Sequence, residues 1–100
     1  MSDKIQISLL AEIEIKAAQD WYEKQTTGLG EKFADEIKGS IDSLLNPISD
    51  HKRVFKNLRR ILLHRFPYSV YYIRNENEKL IEIIAVLHNR QSHDRLEERI

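Results

Sequence analysis

Residues 68–88, YSVYYIRNENEKLIEIIAVLH, decide how the chain folds. Tyr68-Ser69-Val70-Tyr71-Tyr72-Ile73 is aromatic and β-branched, the composition of a strand. Asn75-Glu76-Asn77-Glu78 is a polar turn. Lys79 to His88 is the most apolar stretch, and it predicts a second, central strand. Side-chain parity divides that strand into two faces. Ile81, Ile83, Ala85 and Leu87 fall on one side; Leu80, Glu82, Ile84, Val86 and His88 fall on the other. The purely apolar side should meet the rest of the core. The side with Glu82 and His88 must tolerate charge: it is open to a partner or covered by the chain's own tail.

Upstream of this hairpin, Pro67 marks another turn, because proline cannot sit inside a ladder. Arg60 to Arg65 predicts the strand before it, and Val54-Phe55-Lys56 a shorter one. Earlier still, Leu10, Ile13, Ala17 and Trp21 recur at three or four residues, with Ala18 and Tyr22 beside them, the period of an amphipathic helix. Trp21 is expected in the core. Gly28 and Gly30 allow a tight reversal. Phe33, Ile37, Ile41 and Leu44 then carry a second helix, which Asn46-Pro47 stops. Lys4 to Ser8 alternates polar and apolar, as a half-buried strand does. Asn89 to Ile100 is polar, with room for a short helix. The order β-α-α-β-β-β predicts an α+β fold: a helical hairpin packed on one face of a small, mostly antiparallel sheet.

One hundred residues, 41% hydrophobic and 32% charged, fit a single domain over 1–100. The longest apolar run, Ile83 to Leu87, is far short of the roughly 18 residues that span a bilayer. The first residues lack an apolar signal-peptide core, which points to the cytoplasm. The absence of cysteine excludes disulfides and thiolate chemistry. No histidine stands at metal-ligand spacing, so neither metal nor cofactor is expected.

The net charge of zero conceals a segregation. Residues 1–50 carry five basic and ten acidic side chains. Residues 51–74 carry seven basic and none acidic, and 75–100 carry four basic and six acidic. Such a positive segment attracts anions even on a neutral molecule. Arg60 and Arg65 stand among apolar neighbours, with no acid nearby in sequence. They bind an anionic target, or Glu12, Glu14 or Glu82 pairs with them across the fold. Arg59 and Arg74 read as solvated strand ends. At the end of the last strand His88 and Arg90 form His-x-Arg. His88 could transfer a proton and Arg90 hold a phosphate or carboxylate; alternatively, His88 ends the strand with one hydrogen bond and Arg90 pairs with an acid.

Five pieces in this order carry a resemblance: Trp21-Tyr22-Glu23; GLGEKF from Gly28 to Phe33; Asn46-Pro47; RRILLHRFPYSVYY from Arg59 to Tyr72; and AVLHNRQ from Ala85 to Gln91. The chain, from about Leu9 to Ser92, resembles the RelE/ParE superfamily of toxins. The resemblance implies the toxin half of a type II toxin–antitoxin module, blocked by a cognate antitoxin encoded beside it. ParE-like members poison DNA gyrase; RelE-like members cut messenger RNA on the ribosome. RelE-like ribonucleases often carry arginine after the first tyrosine of Y-R-x-x-Y, where this chain has Ser69. Many also place a tyrosine near the C-terminus, and here no aromatic follows Tyr72. The FPYSVYY and VLHNR forms look closer to the ParE branch. The implied activity is therefore gyrase binding without catalysis, with Arg60, Arg65 and Arg90 as anion or target contacts. An acidic antitoxin is expected on Leu80, Glu82, Ile84 and Val86. The alternatives are a ribosome-dependent endoribonuclease using His88 as its catalytic group, with ribosome and message as partners, and an inactive partner-binding member.

Overall fold

A computed structural model describes residues 3–46, 51–91 and 93–100. Strand β1, Lys4–Ile7, is followed by helices α1, Leu9–Gln25, and α2, Leu29–Asp42. Strands β2, Arg53–Phe55, β3, Leu58–Leu62, β4, Tyr68–Asn75, and β5, Leu80–His88, follow. Short 3₁₀ turns occupy Ser43–Leu45 and Asp94–Arg99. This is the expected α+β order. The sheet runs β1-β5-β4-β3-β2, antiparallel except where β1 lies parallel to β5. β5 is an interior strand, flanked by β1 and β4. β3 begins at Leu58, two residues before its expected start. The Pro47 half of the expected helix stop lies outside the described residues.

Each helix start has an identifiable cap. Ser8 leaves β1 and caps α1, its hydroxyl accepting from the Ala11 amide at 3.1 Å. Gly28 begins α2 in the left-handed region (φ 89°), where a Cβ would be strained. Having no side chain to cap with, it leaves that role to α1: the Glu23 carboxylate accepts from the amides of Gly28 and Gly30 at 2.9 and 3.0 Å. Gly30 lies inside α2, not in the reversal, and it is there because the helices cross closely.

The main core lies between the helical hairpin and the sheet. Phe33, Ile37 and Ile41 of α2 meet Val70, Tyr72 and Ile83. α1 presents small residues, Ala11 and Ala18, with Ile15 and Tyr22 partly buried beside them. The expected apolar stripe of α1 therefore faces the other way. Leu10 and Ile13 are exposed, and Trp21, expected in the core, is 56% exposed. α1 carries apolar residues around most of its circumference; the side with alanines approaches the sheet, because only small residues permit close packing there.

A β-bulge redirects β5. Tyr71 pairs with Ala85 but Tyr72 pairs with Ile83, so Ile84 is the extra residue. Before the bulge Ile81 and Ile83 face the helices, as parity predicts. After it the faces exchange: Val86 joins the helix-side core, while Ala85 and Leu87 face away. Ile84, Ala85, Leu87 and Tyr71 form a second cluster, and Leu96 from the C-terminal turn covers it at 2% exposure. Of the two expectations for this side, the chain's own tail is the one observed over these residues. Arg99 fastens that tail to Glu14 of α1 at 2.8 Å.

Candidate functional site

The loop between β3 and β4 and the turn after β5 meet at one end of the sheet, joined by the Asn89 amide donating to the Pro67 carbonyl at 2.8 Å. Arg65 and Arg90 are exposed on these two segments. Arg60 lies farther along β3, opposite Tyr71 and half-buried on the tail-covered side. None of the three guanidinium groups has an ion pair or hydrogen bond with a described residue. Of Glu12, Glu14 and Glu82, none makes an ion pair with them, and one is engaged elsewhere. Glu14 holds Arg99. Glu36 accepts from the His64 amide at 2.6 Å and the Arg65 amide at 3.3 Å, so it fixes the loop backbone and leaves the Arg65 side chain outward.

Arg59 and Arg74 are not the solvated strand ends expected. Arg59 donates to the His51 carbonyl. Arg74 donates to the Leu44 carbonyl at 2.8 Å and to Asp3 at 2.9 Å, tying the 3₁₀ turn after α2 and the segment before β1 to β4. The difference lies in which way each side chain leaves its strand: Arg74 falls on the helix side, where unpaired carbonyls need donors.

His88 is held in a turn. Its amide donates to the Gln91 side-chain oxygen at 3.0 Å, and its Nδ1 accepts from the Arg90 amide at 3.0 Å. Nδ1 is thus an acceptor, which places the ring proton of the neutral imidazole on Nε2. The ring stands edge-on to Tyr68, centroids 5.2 Å apart. This arrangement terminates the strand. Leu80, Glu82 and Ile84 lie on the tail side of β5, and the bulge sends Val86 to the other side, so these four do not form one face. Among the described residues no group of three or more His, Cys, Asp or Glu side chains converges to hold a metal ion.

Sequence reasoning missed an open groove of about 600 Å³. Ala17, Ala18, Trp21 and Tyr22 of α1 form one wall. Val86, Leu87 and His88, with Pro67 and Tyr68, form the other, and Glu14 and Gln91 complete it. The Trp21-Tyr22 pair was legible as apolar, but its exposure depends on where α1 crosses the sheet. Tyr22, Phe33, Phe66 and Tyr68 pack beneath it with ring centroids 4.8 to 6.0 Å apart.

Burial pushes the Tyr22 hydroxyl above its ordinary pKa, and the adjacent Tyr68 adds to the shift; burial alone raises Tyr68. A folded-state pKa above the unfolded value means that the stabilisation is complete below about pH 10 and is lost as pH rises through the folded-state values. Stability should therefore fall at alkaline pH beyond about 10. The Tyr22→Phe/Tyr68→Phe double variant should show a shallower fall in urea titrations at successive pH values. An identical fall in both proteins would assign the alkaline loss to other groups.

The family described as the ParE toxin of type II toxin–antitoxin systems (parDE) matches residues 5–93. No curated protein matches the sequence. A solved chain of the chromosomal ParDE toxin–antitoxin system from P. aeruginosa is similar in fold, with TM-score 0.68 and 18% identity over 86% of this chain and 95% of that one. An arginine-to-alanine mutant of the E. coli toxin RelE in the free state is also similar, with TM-score 0.59 and 15% identity over 99% of this chain and 94% of that one.

Proposed function

The chain belongs to the ParE toxin family of type II toxin–antitoxin systems, and from that premise we propose that it arrests growth by binding DNA gyrase in the cytoplasm, as one domain, until a cognate acidic antitoxin sequesters it. The observation that carries the reading is that Arg60, Arg65 and Arg90 have no acid partner among the described residues. A neutral chain that leaves three guanidiniums unpaired with any described acid can present them to an anionic surface, where planar bidentate pairing favours arginine over lysine. The same groups attract the antitoxin's carboxylates, so one partner excludes the other by charge as well as by bulk. No catalytic group is needed. The Nδ1 of His88, engaged by a backbone amide, agrees with a toxin that acts by binding.

The test is a supercoiling reaction with purified gyrase. The unaltered chain should inhibit it. The Arg60→Ala/Arg65→Ala/Arg90→Ala variant should need at least about tenfold more protein for the same inhibition, equivalent to about 1.4 kcal/mol of lost binding. Raising the salt should weaken the unaltered chain more than the variant. Undisturbed supercoiling, with codon-phased cleavage of message in a translating extract, would replace this reading with the ribonuclease.

A further inference from the structure

Helix α2 grips the loop that carries Arg65 at two positions one turn apart. Phe33 packs against the Phe66 ring, centroids 5.2 Å apart. Three residues on, the Glu36 carboxylate accepts from the His64 amide at 2.6 Å and, through both oxygens, from the Arg65 amide at 3.3 Å. Leu63 and Phe66 are buried and anchor the loop, while His64 and Arg65 between them are exposed. The loop's own backbone bonds run from the Leu63 amide to the Tyr68 carbonyl at 3.0 Å and from the Tyr68 amide to the Phe66 carbonyl at 2.8 Å. Neither uses the amide of His64 or Arg65, and among the described residues Glu36 is the acceptor for both. Charge alone gives no reason for an acid here. Glu36 is half-buried beside an exposed arginine, where it lowers the positive potential that draws an anion. It makes no ion pair with the Arg65 guanidinium.

We propose that Glu36 is a positioning residue for gyrase binding: it holds the backbone of His64 and Arg65 so that the Arg65 guanidinium meets the target from a fixed place. Glu36 acts through Arg65 and touches no partner itself. This rests on the gyrase reading and names the residue that prepares one of its contacts. A loop ordered before the partner arrives loses less entropy on binding. The ordering extends to the neighbouring turn, because the Pro67 carbonyl accepts from the Asn89 amide at 2.8 Å, next to Arg90. The competing reading is that Glu36 only stabilises the hairpin of β3 and β4. Its loss would then weaken folding and leave the affinity of the folded chain unchanged.

The experiment measures inhibition of gyrase supercoiling by the full chain and its variants. Glu36→Ala should need about fivefold more protein for the same inhibition, although removing a negative charge beside Arg65 would by itself strengthen anion binding. Glu36→Gln removes the same charge but keeps an oxygen for the His64 amide, so it should retain the inhibition. In the Arg65→Ala background, Glu36→Ala should change the required amount by less than about twofold. Solvent exchange of the His64 and Arg65 amides should quicken about tenfold in Glu36→Ala. Equal inhibition by Glu36→Ala and the unaltered chain overturns the proposal. An equal loss in Glu36→Ala and Glu36→Gln does so too, as does the same loss with and without Arg65. Free exchange of both amides in the unaltered chain also overturns it, and that measurement needs no variant to fold. If the unaltered chain leaves supercoiling undisturbed, the gyrase reading itself fails and the proposal with it. Inhibition that Arg65→Ala weakens and Glu36→Ala does not leaves that reading standing and removes only the positioning role.

Discussion

Substituting Glu14 by alanine should lower the unfolding free energy by about 3 kcal/mol, the low end of what breaking a buried ion pair costs. Two losses combine. The Arg99 guanidinium loses a two-pronged bond, Nη1 to Oε1 at 3.0 Å and Nη2 to Oε2 at 2.8 Å. The Val86 amide loses its acceptor in a partly buried place. Both charged side chains keep 20–25% exposure, so water relieves part of the cost, and the low end of the range applies. The hydrogen bond and the charge of Glu14 raise the Arg99 pKa while burial opposes them. In thermal unfolding the loss should appear as a drop of roughly 12 °C or more for a chain this size. Glu14→Gln should recover about half, because the amide oxygen still accepts from Val86 while the ion pair is gone. A melting temperature within two or three degrees of the unaltered chain would show that the tail is not fastened at this point.

That clasp marks the limit of what the sequence could disclose. The hairpin of β4 and β5, the helical pair and the first strand follow from local periodicity, and they appear where the pattern places them. The bulge at Ile84 does not. It is held by contacts that no window contains: Ser8 to Ile84 spans 76 residues, Glu14 to Val86 spans 72, and Glu14 to Arg99 spans 85. One inserted residue reverses which side of β5 each later side chain takes. For that reason Val86 left the face assigned to it and became a wall of the groove. Trp21 failed for a related reason. α1 has more apolar residues than one face can bury, and periodicity alone cannot say which stripe the sheet will accept. Charge was more legible. Arg60 and Arg65 stood out by the lack of nearby acids in sequence and Arg90 by its His-x-Arg setting, and no described acid reaches their guanidinium groups across the fold. Arg59 and Arg74 turned out to be structural: Arg59 donates to the His51 carbonyl, and Arg74 to the Leu44 carbonyl and the Asp3 carboxylate.

Gly30→Ala and Gly39→Ala, two identical changes within α2, should move stability in opposite directions. Alanine favours a helix interior over glycine by about 1 kcal/mol, and this gain applies at both positions. At Gly39 an added Cβ meets nothing within 4 Å, so the gain should appear almost undiminished. At Gly30 the Cβ would lie 2.6 Å from the Gln19 carbonyl oxygen and 3.0 Å from Glu23 Cβ and Oε1. The first of these is backbone in the middle of α1 and cannot rotate away. Relief requires the helices to separate, which strains the packed Tyr22–Phe33 contact at 5.3 Å and pulls Glu23 from the two amides it caps. Overpacking of this kind costs about 1–3 kcal/mol, and a lost helix cap about 1 kcal/mol more. Against the propensity gain, the net for Gly30→Ala is a loss of about 2 kcal/mol. Urea midpoints should therefore separate the two variants by about 3 kcal/mol, on either side of the unaltered chain. The separation isolates helix contact from helix propensity, since propensity alone predicts the same sign for both. If both variants were stabilised alike, α1 and α2 would not approach as closely as the Gly30 geometry requires, and the groove wall formed by Trp21 and Tyr22 would lose the support that positions it.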